Sequence, residues 1–169
     1  MRLLIRMSRQ LRDLALERLR RPHPFAAERV AFAYGRRGKL SDGEVILLSN
    51  VVEVDDEDYE DDPTVGARIG SVAIHKALQR ALDLRAATFH LHLHDHSGMP
   101  WFSLVDRREL PDVVRPFGVL VPEQPHGLLL LSDDDCVALV WHGGQKAPRL
   151  AHDVTFVGAP MSVLRGSDR

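Results

Sequence analysis

Four histidines, His90, His92, His94 and His96, occupy every second position of one short stretch of the chain. In an extended strand, residues i and i+2 project from the same face about 6.5 Å apart, so two neighbouring imidazoles of this series can turn toward one ion. Zinc takes neutral imidazole nitrogen at about 2.0 to 2.1 Å and keeps an open water position when three protein groups hold it. A third ligand stands downstream. Asp106 follows a loop containing Gly98 and Pro100, and Ser103 lies three residues before it, so that S-x-x-D opens the next helix. An apolar sheet face does not accept four unpartnered imidazoles, since each unsatisfied buried polar group costs about 1 to 3 kcal/mol. The alternative is a stripe facing solvent. Two other metal patterns fail by register: H-x-H-x-D-H needs a histidine four residues before Asp95, where Leu91 stands, and H-E-x-x-H is absent. The lone Cys136 excludes both an internal disulfide and a site built from several thiolates.

The elements that must position these residues follow from periodicity. Residues 2 to 7 read as a short strand, after which Ser8 caps a helix carrying Leu11, Leu14, Leu16 and Leu19 and ending before Pro22. Residues 28 to 36 place Val30, Phe32 and Tyr34 against Ala31 and Ala33, a strand buried on both faces. A turn at 36 to 43 leads into a second strand, Glu44 to Val54. Ile69, Val72, Ala73, Leu78 and Leu82 recur at helical spacing over residues 69 to 85. Ala87 to His96 reads as a period-2 strand, with Phe89, Leu91 and Leu93 on one face and the histidines on the other. After the loop 97 to 102 a short helix begins near Ser103. Val119 to Val121, Gly127 to Leu131 and Val137 to Trp141 then read as strands, with more β structure over Val154 to Val157. This order predicts an α/β (α+β) fold, a single mixed sheet flanked by helices.

At 169 residues the chain suits one domain, 1–169. No apolar run approaches the roughly 18 residues a membrane span needs, and Arg9, Arg12 and Asp13 interrupt any secretory signal, so the expected location is the cytoplasm. The net charge of -2 conceals an uneven distribution: residues 1 to 37 carry ten arginines against three acids, and residues 38 to 62 carry Lys39 against ten acids. A sequence pI near 6.5 argues against a nucleic-acid partner, which leaves the arginines as the solvated side of an amphipathic helix. Asp55 to Asp62, with seven acids in eight positions, reads as an exposed solvated loop unless a basic partner meets it.

The stretch His92-Leu-His94-Asp-His96 through Ser103-Leu-Val-Asp106 resembles the JAMM motif of MPN-domain metallopeptidases, an upstream Glu, then H-x-H, then about ten residues to an Asp within S-x-x-D. Glu28 to Gly35 resembles that family's first core strand, E-x-x-G-x-L-x-G, keeping the Glu and the last Gly but carrying Ala31 and Ala33 at the two positions between. The resemblance covers about residues 10–145. It implies the JAMM/MPN (cytidine-deaminase-like) fold, one Zn2+ per chain on His92, His94 and Asp106, Glu28 as general base and Ser103 as oxyanion donor. Eleven residues separate His94 from Asp106 and nine separate His96 from it, so His96 remains an alternative ligand. His92 with His94 is the preferred pair, because one added loop residue distorts a site less than one removed. The resemblance further implies hydrolysis of amide or isopeptide bonds in a ubiquitin-like protein or its conjugates. The bacterial members of this kind accompany E1-like and E2-like proteins in conjugation operons, some of them antiviral. Competing expectations are a non-catalytic MPN-like scaffold, or a metallopeptidase of unrelated small peptides. Taken one by one, the same residues have plainer roles: Glu28 as a strand-edge carboxylate, Ser103 as a helix cap, Asp106 as a first-turn helix acid.

Overall fold

Ser8 ends one element and starts the next. It closes strand β1 (Arg2–Ser8), and its Oγ accepts the Leu11 N–H at 3.1 Å, capping helix α1 (Arg9–Leu19). One face of that helix buries Ala15, Leu16 and Leu19. The structure, a computed structural model, describes residues 2–143, 145–159 and 162–165. β2 (Val30–Lys39) and β3 (Gly43–Glu53) form an antiparallel pair whose register shifts at Tyr34/Gly35. A bulge there has a steric reason: a Cβ on Gly35 would lie 2.2 Å from the Leu47 carbonyl oxygen.

After one 3-10 turn (Asp56–Asp58), the two-residue strands β4 (Tyr59–Glu60) and β5 (Arg68–Ile69) make a separate small ribbon. Helix α2 (Ser71–Leu84) and strand β6 (Ala87–Leu93) follow, then helix α3 (Leu104–Leu120). The last third supplies β7 (His126–Leu131), β8 (Cys136–Trp141), β9 (Arg149–Leu150), β10 (Asp153–Val157) and β11 (Ser162–Arg165). Nine strands make one mixed sheet in the order β11-β10-β1-β3-β2-β6-β7-β8-β9. The sheet curls, and residues just past β9 bridge β8 to β1. The Ala151 N–H reaches the Ala138 carbonyl, and the His152 N–H reaches the Leu3 carbonyl at 2.8 Å.

Helices cover both faces, as the mixed α/β reading anticipates. On one side α1 packs on Leu3, Ile5, Ala31, Ile46, Phe89, Leu91 and Leu129. On the other, α2 sets Ala73, Ala77 and Ala81 against Val30, Phe32 and Tyr34, with Phe117 of α3 beside them. Alanines at these positions let the helix approach the sheet closely. The core runs beyond residues 10–145, since Met7, Val154 and Phe156 belong to the α1 side. Among the described residues no helix is long and apolar enough to cross a membrane.

Three elements differ from their sequence expectations. The helix near Ser103 is long, and Val119 to Val121 forms its end rather than a strand. Pro111 and Pro116 lie inside it, each expected to cost about 3 kcal/mol. Burial of Val114 and Phe117, at about 1.5 to 3 kcal/mol each, and the capped start hold it nonetheless. The histidine strand stops at Leu93, leaving His94 just beyond it and His96 in a bend. The acidic segment meets its bases within the chain: Arg29 pairs with Asp56 at 2.7 Å, Lys76 with Asp55 and Asp58 at 2.7 and 2.6 Å, and Arg68 with Asp62 at 2.8 Å.

Candidate metal centre

Alternation along β6 sends Phe89, Leu91 and Leu93 toward α1 and leaves His90 and His92 facing the α2 and α3 side. His94 keeps the alternation one step past the strand, because its N–H still bonds the Leu131 carbonyl of β7 at 2.9 Å. The His92 and His94 rings sit 5.2 Å apart, centroid to centroid. Ligand atoms of His92, His94 and Glu28 all lie within 4.8 Å of one another, a spacing that can hold a metal ion.

Asp106 reaches the same pair from the first turn of α3. Its Oδ1 is 3.6 Å from His92 Nε2, and its Oδ2 is 3.8 Å from His94 Nε2. These are charge contacts too long for hydrogen bonds. A reciprocal capping box fixes the carboxylate: Ser103 N–H donates to Asp106 Oδ2 at 2.8 Å, and Asp106 N–H donates to Ser103 Oγ at 3.1 Å. Since the Ser103 hydroxyl accepts in this box, its own proton stays available to another acceptor. Capping and oxyanion donation are therefore compatible in one side chain.

The fit of these residues to a cation rests on His92. It is 2% exposed, and neither ring nitrogen has a hydrogen-bond partner among the described residues. Such a side chain is costly to bury, and a cation between His92, His94 and the carboxylates satisfies it. The two acids have opposite electrostatics. Burial raises the Glu28 carboxyl above its ordinary value; His92 pulls it down by less, and Asp106 adds to the rise. Burial also works against the Asp106 charge, but His92 and the contacts from Ser103 outweigh it and hold that carboxyl well below the ordinary range. Burial chiefly, with the neighbouring His92, lowers the His94 value and favours its neutral, ligating form.

His90 packs edge-on against Phe32 at 5.7 Å and beside His92 at 5.5 Å, 5% exposed. Burial foremost pushes its pKa down to about 3. His96 stands apart from the cluster: its Nδ1 meets the Ser97 carbonyl at 2.9 Å, and its ring lies against Trp101 at 5.2 Å. The structure thus gathers Glu28, Ser103, His92, His94 and Asp106 and leaves His96 at the rim.

Three further residues position Glu28, and none stands out in the sequence. Arg29, 3% exposed, binds the Arg21 and Pro22 carbonyls and Asp56, anchoring the chain ahead of β2. The Tyr59 hydroxyl accepts the Val30 N–H at 2.7 Å and fastens the acidic segment to the start of that strand. Gly66 accepts the Glu28 N–H at 2.9 Å, and a Cβ there would lie 2.6 Å from the Glu28 carboxyl carbon. The only signal in sequence for these three is their place beside an acid-rich segment and a single glycine.

Two clefts meet at the cluster. One of about 460 Å³ runs past His90 between β5 and α3; the other, about 650 Å³, runs past His94 and His96 between residues 63–67 and Trp101. Glu28 and Asp106 line both. Compared with family models and with curated proteins, the chain has no match.

Proposed function

We propose that the chain is a metal-dependent hydrolase of amide or isopeptide bonds, built as the JAMM resemblance implies. The observation that carries this reading is the convergence of Glu28 and Asp106 on the His92 and His94 pair at the junction of two open clefts. His92, His94 and Asp106 would hold a zinc ion, whose chemistry when bound is Lewis-acid polarisation and a lowered pKa for water. Asp106, held strongly acidic, suits the part of a permanently anionic ligand.

Glu28, its carboxyl raised by burial while that of Asp106 is lowered, is the better proton carrier of the two acids. It takes a proton from the attacking water and passes it to the leaving nitrogen. The free Ser103 proton points to a role at the carbonyl oxygen, where charge develops as the bond breaks. The open clefts on either side suit a polypeptide substrate. A ubiquitin-like protein, joined through its C-terminus to a lysine or to a following segment, is the substrate the resemblance implies.

Two measurements test this together. Mass spectrometry of the metal content is expected to give about one zinc per chain in the parent and little in His92→Ala/His94→Ala. Cleavage of a ubiquitin-like fusion is expected to fall about 10²- to 10⁴-fold in Glu28→Gln with zinc retained. Zinc without cleavage would point to a binding scaffold, and cleavage unaffected by Glu28→Gln would remove Glu28 from its assigned role.

A further inference from the structure

A groove of about 770 Å³ is separate from the two clefts at the histidines and shares only Trp101 with one of them. It runs across the outer side of β8 and β9 beside the start of α3. Its walls are apolar, with Leu139, Trp141 and Leu150 on the sheet and Trp101, 66% exposed, at the end nearest the clefts. Arg107 and Lys146 are the only charged residues lining it, both exposed, and neither is ion-paired with a described acid. β9 is the last strand of the sheet on this side, and its Leu150 contributes to the groove.

We propose that this groove binds an extended polypeptide segment with apolar residues at its centre and acidic residues at its ends. Each feature answers one part of that description. A terminal strand can pair with an added extended chain, whose alternate side chains then face the groove. The apolar walls take those side chains and release water. Two cations without an ion-pair partner among the described acids, Arg107 with its Nε on the Phe102 carbonyl at 3.2 Å and Lys146, favour acidic flanks and repel basic ones. Trp101 borders both this groove and the cleft lined by His94.

The groove can be tested without reference to hydrolysis, because both tryptophans of the chain line it and intrinsic fluorescence reports on it, while substitution of Arg107 and Lys146, which are not in the His94 cleft that Trp101 also borders, tells the two apart. The probe is a blocked seven-residue peptide, a Val-Leu-Val centre with two glutamates on each side, compared with its lysine-flanked counterpart on the unaltered full-length protein. The glutamate peptide is expected to shift the tryptophan emission saturably, more weakly at high salt, and the lysine peptide to leave it unchanged. Arg107→Glu/Lys146→Glu is expected to weaken the glutamate peptide at least about tenfold, with circular dichroism as the check on folding. Equal binding of both peptides overturns the proposal, as does no response to the glutamate peptide up to about 1 mM. An emission shift that follows protein concentration without peptide identifies a second copy of the chain as the occupant and also overturns it.

Discussion

A methyl group added at Gly66 would meet the Glu28 carboxylate before anything else, its oxygens at 2.8 Å. The obstruction is the far end of a flexible side chain, so Gly66→Ala is expected to leave the fold intact and displace the acid. A shift of about 1 Å in a reacting group can cost 10²-fold. The turnover of Gly66→Ala is therefore expected to drop roughly 10- to 100-fold, with zinc content and thermal midpoint near the parent values. His90 supports a second expectation. Its folded pKa of about 3 lies below the ordinary 6.5, chiefly through burial. The unfolded chain thus binds the additional proton between these values. Stability is fully present above about pH 6.5 and lost as the pH falls toward 3. Urea midpoints of chelator-treated protein should decline over this window, and less steeply in His90→Leu. At this scale much was legible: period 2 in a strand and i to i+3 at a helix start, both local rules, brought the histidine series, Ser103 and Asp106 forward, while Glu28 and the preference for His92 with His94 over His96 came with the JAMM resemblance. Gly66 was not, since a glycine in a polar loop reads as a turn residue until its neighbour in space is known.

The start of β2 is where one element controls another. Tyr59 brings the acidic segment onto Val30 and keeps a buried N–H satisfied. Tyr59→Phe removes that acceptor and is expected to cost about 1 to 3 kcal/mol, read from chemical denaturation. A loss of turnover greater than the loss of folded protein would show that this segment also steadies Glu28. The strands around the histidines were legible because each buries a recognisable face. Helix α3 was not: its two prolines argue for a break, and only the packing of Val114 and Phe117 shows why the helix continues. The acidic run misled for a similar reason, because Arg29, Arg68 and Lys76, which pair with four of its seven acids, lie up to 27 residues away in sequence.

Across the whole molecule, the last third of the chain shares a core cluster with its first strand. Phe156 is 1% exposed within the cluster that holds Leu3, Ile5 and Met7, and the Arg12 guanidinium lies 5.0 Å from its ring centre. Phe156→Ala is expected to cost about 3 to 5 kcal/mol, measurable as a lower urea midpoint, although the residue is remote from the histidines. No local pattern announces this, because parallel pairing of β1 with β10 joins strands from the two ends of the sequence. The same pairing has a consequence for synthesis. β1 is made well before its partner, because its Leu3 waits for a residue 149 positions downstream. Until His152 and β10 emerge, one edge of a strongly apolar strand stays open to other chains. Closure of the curled sheet therefore waits for β10, so β1 needs shielding from other chains throughout the synthesis of the segment between them.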